Sequence, residues 1–148
     1  MTTDSRTDVV RIGNCSGYYG DRISAMREML EGGDLDYLTG DYLAELTMLI
    51  LGRDRMKDES LGYAKTFVRQ MTESMALAKQ RGVRIVANAG GLNPAALAAR
   101  LREIAAEQGL DLAIAHVEGD DLSARFADSL TANAYLGAFG IAAALGAG

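Results

Sequence analysis

The sequence predicts an α/β protein: an open, mostly parallel sheet with helices on both faces, in a Rossmann-like or flavodoxin-like strand order. Three observations predict it. Short runs rich in Val, Ile and Leu alternate with stretches whose apolar residues recur every three or four positions. The runs are apolar almost throughout, as strands covered on both faces are. Glycines and polar residues gather directly after each run, where the ligand loops of a parallel sheet lie.

Val9 to Ile12 is a β-branched run that ends in a glycine-rich turn. Ile23, Met26, Arg27 and Leu30 then follow at helical spacing up to Gly32-Gly33, which predicts strand, loop and helix. Leu35 to Leu38 is the second strand, closed by Thr39-Gly40-Asp41. Leu43, Leu46, Thr47, Ile50 and Leu51 predict an apolar helix face, with Asp41 placed to cap its first turn and a charged loop from Gly52 to Gly62. Tyr63 to Gln80 carries Phe67, Met71, Met75 and Ala78 on one face, and Gly82 is its stop. Val83 to Ala87 is the third strand, and Pro94 opens a helix whose buried face is Leu97, Leu101, Ile104 and Ala105. Leu112 to Val117 reads as a fourth strand, Glu118 to Asp121 as its turn, and Ala134 to Leu145 as a fifth helix.

The order is β-α-β-α-α-β-α-β-α, and it stops on a helix with no strand to return to. Residues 9–148 are therefore expected to be the front portion of a larger α/β ligand-binding domain, truncated after the fifth helix, behind a disordered lead-in at 1–8. The 148 residues are otherwise the usual length of one domain.

Composition narrows the function classes. Fifteen Lys plus Arg against twenty Asp plus Glu give a net charge of -5, which repels a phosphate backbone and argues against nucleic acid as a partner. A single cysteine, Cys15, cannot form an internal disulfide, and with one histidine there is no structural zinc set, so a reducing cytoplasm is the expected compartment. The apolar stretch from Ala132 to Gly148 is too short and too interrupted by glycine to span a bilayer.

The candidate chemistry sits after the strands. Gly13-Asn14-Cys15-Ser16-Gly17-Tyr18-Tyr19-Gly20-Asp21 can turn backbone N–H groups toward an anion or carbonyl; the alternative is a tight turn that needs glycine. It is neither a Walker A loop nor the dinucleotide fingerprint, so no NAD or FAD site is expected. Cys15 stands ahead of a helix start, where a thiolate is favoured, but the only imidazole is His116, so a buried structural thiol is the favoured reading. Asn88-Ala89-Gly90-Gly91-Leu92-Asn93-Pro94 brackets a Gly-Gly pair with two amides before a helix start: an oxyanion or phosphate cradle, or an Asn93 cap and a sharp turn. Glu118, Asp120 and Asp121 could serve as a base or hold Mg²⁺, or simply cap a turn.

Taken together, Ile12-Gly13-Asn14-Cys15-Ser16-Gly17-Tyr18-Tyr19-Gly20-Asp21-Arg22, Asp36-Tyr37-Leu38-Thr39-Gly40-Asp41-Tyr42-Leu43-Ala44-Glu45, the Asn88-to-Pro94 loop and Val117-Glu118-Gly119-Asp120-Asp121 resemble the N-terminal domain of the acyclic terpene utilisation (AtuA) family, from about Val10 onward. The resemblance implies a link to bacterial breakdown of branched acyclic terpenoids such as citronellol and geraniol, by way of acyl-CoA thioesters. It carries no catalytic roles with it.

On these grounds the loops are expected to bind an acyl-CoA or another polar-headed branched substrate. Asn14, Cys15, Ser16, Gly17, Asn88, Gly90, Gly91 and Asn93 are the candidate binding residues, and Asp41, Glu118 and Asp120 the candidate base or metal ligands. A lyase or hydratase step suits carboxylates and backbone donors. The alternative is a noncatalytic binding or scaffold subunit beside a pathway enzyme such as an acyl-CoA carboxylase. The apolar last helix, with Tyr135, Leu136, Phe139, Ile141 and Leu145, is expected to be covered, for example in a homo-oligomer.

Overall fold

The computed structural model describes residues 9–148. The expected lead-in at 1–8 lies outside the described residues. Three strands, β1 (Ile12–Asn14), β2 (Tyr37–Gly40) and β3 (Arg84–Ala87), form a parallel sheet in the order β1-β2-β3. Leu38 lies opposite Gly13 on one side and Ile85 on the other. With β2 central, this is the order of the first half of a Rossmann sheet; a flavodoxin-like order would put β1 in the centre.

Between the strands run α1 (Ala25–Gly32), α2 (Glu45–Lys57) and α3 (Lys65–Arg81), and α4 (Pro94–Glu107) follows β3. α3 packs between α1 and α4, and the three bury one face of the sheet. The side chains expected on the inner faces of α3 and α4 are all buried: Phe67, Met71, Met75 and Ala78, then Leu97, Leu101, Ile104 and Ala105. Met26 and Leu30 of α1 and Leu38 of β2 complete the core at 0% exposure, where one fully buried leucine contributes about 1.5–3 kcal/mol. Gly82 ends α3 as expected, in the left-handed conformation at φ 67°, with its N–H shared by the Ala78 and Lys79 carbonyls.

α5 (Phe139–Ala147) reaches the opposite face of the sheet through Leu145, where Val10, Ile12, Tyr37, Thr39 and Val86 line an open apolar groove of about 230 Å³. Arg84 Nη1 holds the Leu145 carbonyl at 3.2 Å. Phe139 and Ile141 remain exposed. No helix among the described residues is long and apolar enough to cross a membrane.

Four expectations are corrected. Leu112 to Val117 is not a strand: Leu112 and Ile114 lean on the core, but the Asp111 and Ile114 carbonyls accept from Lys79 Nζ and Arg102 Nη2, and no ladder forms. Alternation set one buried face there but supplied no partner strand. The helix expected from Ala134 begins only at Phe139; Asn133 bridges to Asp121, and Ala134 N donates to the Asp120 carbonyl at 2.7 Å instead of starting a helix. α2 runs on through the expected loop to Lys57, and it buries Thr47, Leu51 and Gly52 while Leu46 and Ile50 stay exposed. Its N-cap is Ala44, and Asp41 accepts from Leu43 N outside the helix, so Asp41 does not cap its first turn.

Candidate functional site

All strands of a parallel sheet end on the same edge, so the loops after β1, β2 and β3 meet there. Hydrogen bonds between side chains tie them into one surface. The Thr39 hydroxyl lies 3.0 Å from the Gly13 carbonyl and 3.1 Å from Asn14 Oδ1, joining β2 to β1. Asp41 N donates to the Ser16 carbonyl at 2.9 Å. Asn88 then joins β3 to β2 twice: its Oδ1 accepts from Tyr42 N at 2.8 Å, and its Nδ2 donates to Asp41 Oδ1 at 2.6 Å. The amide and Leu43 N both donate to Oδ1 of the exposed Asp41, fixing the carboxylate through one oxygen.

A buried polar layer lies beneath. The Tyr42 hydroxyl donates to Gln70 Oε1 at 2.5 Å, and Gln70 Nε2 donates to the Arg22 carbonyl at 3.3 Å; both residues are 1% exposed. The Tyr42 ring meets Phe67 edge-on with centroids 5.3 Å apart. Burial pushes the Tyr42 phenol far above its ordinary pKa, and the Cys15 thiol beside it adds to the shift. Cys15 is 4% exposed, donates to the Thr39 carbonyl at 3.3 Å, and is also raised by burial. A raised thiol is a poor nucleophile, in line with the structural reading of Cys15. Tyr42 and Gln70 escaped the sequence reading, although a glutamine one position from Met71, on the apolar face of α3, is the signal that could have found them.

The β3 loop is anchored in a different way. Asn93 Oδ1 caps α4 by accepting from Ala96 N, and its Nδ2 donates to the carbonyls of Glu59 and Leu61. Gly91 adopts φ 53°, and a Cβ there would collide with Leu51 Cδ1 and lie 2.9 Å from the Gly62 carbonyl. A Cβ on Gly90 would lie 2.7 Å from Pro94 Cβ. Both glycines therefore face protein atoms, and Arg55 Nη1 holds the Leu92 carbonyl at 3.0 Å.

Glu118 and Asp120 find their side-chain partners in their own segment. Glu118 Oε1 is 3.3 Å from His116 Nε2 on an exposed stretch, and Asp120 Oδ2 accepts from Asn133 Nδ2 at 3.1 Å. Neighbouring Asp121 has its carboxyl held below the ordinary range by the Ser123 hydroxyl and N–H, with Arg55 adding to it. Among the described residues no three His, Cys, Asp or Glu side chains converge as a metal set.

No curated protein and no solved structure matches the chain. The sequence model of the acyclic terpene utilisation family protein AtuA matches residues 10–148, a span that takes in all three strand-end loops, and the chain belongs to that family.

Proposed function

We propose that the interlocked strand-end loops bind a branched, polar-headed intermediate of acyclic terpenoid breakdown, carried as an acyl-CoA thioester. Family membership supports the association with acyclic terpene utilisation. The observation that carries the binding reading is the Asn88–Asp41 pair, which fixes one oxygen of an exposed carboxylate at the edge where parallel sheets take their ligands. In this reading Asp41 is the base of a lyase- or hydratase-type step, taking a proton from the substrate, while Asn88 and Leu43 N stabilise the carboxylate and fix its direction. Asn14, Ser16 and Gly17 border the substrate on the β1 side. Glu118 and Asp120, in the segment after α4, enter only as second carboxylates.

The test is a melting-temperature titration with branched acyl-CoA thioesters, free acids and Mg²⁺, followed by turnover assays of Asp41→Asn. Binding retained with turnover lost supports the reading. A full loss of binding in Asn88→Ala is also expected, because the loops come untied. Thioesters that leave the melting temperature unmoved refute it.

A second reading, a noncatalytic scaffold subunit, is favoured by the open apolar groove over Ile12, Tyr37 and Val86 and by the exposed Phe139. It predicts stabilisation by a thioester without turnover, together with co-purification of a pathway enzyme.

A further inference from the structure

α3 buries a glutamine on the face that Phe67, Met71 and Met75 otherwise make apolar. Gln70 lies one helical turn beyond Phe67, so the two side chains reach the same ring, that of Tyr42. Phe67 meets the ring edge-on, and Gln70 Oε1 accepts its hydroxyl. The ring also lies so close to the end of β2 that a Cβ on Gly40 would come within 2.6 Å of Tyr42 Cε2. Tyr42 is thus pinned between the strand end and α3, directly after Asp41 in the chain.

Two backbone groups of fixed polarity set the direction of the hydrogen bonds that run through it. The Arg22 carbonyl can only accept, so it takes Gln70 Nε2 at 3.3 Å and turns Gln70 Oε1 to the Tyr42 hydroxyl. The Tyr42 N–H can only donate, so it takes Asn88 Oδ1 at 2.8 Å and turns Asn88 Nδ2 to Asp41, 2.6 Å away. Tyr42 therefore decides which end of the Asn88 amide meets the carboxylate. Turned by half a revolution, that amide would set its oxygen against the Asp41 oxygen, acceptor against acceptor. The Tyr42 N–H is kept in place by its own side chain, whose hydroxyl ends on Gln70.

We infer that Gln70 is a positioning residue of the strand-end surface: acting through Tyr42 from the buried side of α3, it fixes the orientation of the Asn88 amide and with it the Asp41 carboxylate. Asp41 and Asn88 are exposed, whereas Gln70 is buried and its bonds go to Tyr42 and Arg22. The inference rests on the proposed function for what Asp41 does to a substrate; how Asp41 is held is independent of any ligand.

The experiment reads the Asn88 side-chain amide by nitrogen–proton NMR, with backbone hydrogen exchange alongside. In the wild type one Asn88 Nδ2 proton should stand away from the free-amide position, because a carboxylate holds it, and the Tyr42 N–H should be protected. Gln70→Met keeps the volume and removes both bonds. Tyr42→Phe keeps the ring and removes only the hydroxyl, and it carries the test if Gln70→Met does not fold. In either variant the Asn88 signal should return most of the way to the free position. Exchange of the Tyr42 N–H should quicken about tenfold more than that of the Leu101 N–H in α4, the size of one buried hydrogen bond lost locally. Ile104→Val, near the far end of α4, lowers stability without touching these bonds and should leave the Asn88 signal in place. The inference is overturned if the wild-type Asn88 signals already sit at the free position, if they stay displaced in Gln70→Met and Tyr42→Phe, or if Ile104→Val moves them as far. A branched acyl-CoA thioester is titrated against the melting temperature in parallel. No shift with the thioester removes the wider reading and leaves the Asn88 signals to decide this one; a shift with signals that neither variant moves removes this inference alone.

Discussion

The Tyr42–Gln70 hydrogen bond is the strongest test of how the loops are held, because it can be cut from either side. Both side chains are 1% exposed. Tyr42→Phe deletes the hydroxyl and leaves Gln70 Oε1 a buried acceptor without its donor, a loss of about 1–3 kcal/mol. Gln70→Met keeps the volume and leaves the Tyr42 hydroxyl orphaned, a similar loss; it also removes the bond to the Arg22 carbonyl. The double variant replaces both partners by apolar groups, and the mutual term disappears. Only the Arg22 contact is then missing, worth about 1 kcal/mol. The singles should therefore sum to about 3–7 kcal/mol and the double variant to about 1, a coupling of at least ~2 kcal/mol. Urea unfolding followed by circular dichroism at constant m reads all four corners of the cycle. For a domain of about 150 residues, a 2 kcal/mol single loss corresponds to a fall in melting temperature of roughly 4–8 °C. Additivity within about 0.5 kcal/mol would refute the argument, since it would mean that the two groups do not share a bond in solution.

The β3 loop yields two further predictions. Gly91→Ala should destabilise by at least about 2 kcal/mol in the same unfolding assay, since it combines a left-handed φ with a collision against Leu51; an effect below ~0.5 kcal/mol would show that the loop is not packed as described. Asn93→Ala should lose about 1 kcal/mol for the α4 cap and more for the released Glu59 and Leu61 carbonyls, and Asn93→Asp should recover only the cap portion. Alkaline pH should weaken the fold. Burial raises Cys15 above its ordinary 9.0 and Tyr42 above its ordinary 10.0, so the folded chain holds protons that the unfolded chain releases. Their contribution is complete below pH 9 and declines as pH climbs through 9 and past 10. Stability that rises between pH 8.5 and 10.5, or a decline of equal steepness in Cys15→Ala with Tyr42→Phe, would contradict it.

The α3 and α4 faces could be read before folding because their periodicity and their burial have the same cause. A helix with Phe67, Met71, Met75 and Ala78 on one side has one way to leave water, and Gly82 marks where it ends. α2 shows where that logic stops. Of its expected face Thr47 and Leu51 are buried while Leu46 and Ile50 stay exposed, and Gly52, expected in a loop, packs against the Leu130–Thr131 segment. Periodicity reports that a face is apolar and is silent on what comes to meet it. The same limit undid the fourth strand, whose Leu112 and Ile114 alternate correctly without a partner ladder. β1 illustrates a smaller version: the apolar run begins at Val9, but pairing begins at Ile12, opposite Tyr37, because register depends on the neighbouring strand rather than on hydropathy.

The loops after the three strands lie at one edge because parallel strands end together, and there Asn14 is bonded to Thr39 and Asn88 to Asp41. The chemistry of the site did not follow in the same way. A glycine loop before a helix has the same composition whether its N–H groups await an anion or are already satisfied, and here Asp21, four residues beyond Gly17, satisfies two of them. Asn93 shows the same ambiguity resolved toward structure, for both ends of its amide are engaged in capping α4 and holding the Glu59–Leu61 turn. Asn88 resolves it differently, because its amide ties two loops while holding one oxygen of the exposed Asp41 carboxylate. Residue type and spacing locate polar groups at a sheet edge, but the direction of each hydrogen bond decides which of them can still act on a ligand. On that criterion Asn93 and Asp21 are engaged with the protein's own backbone, while Asp41 is held across the loops by Asn88.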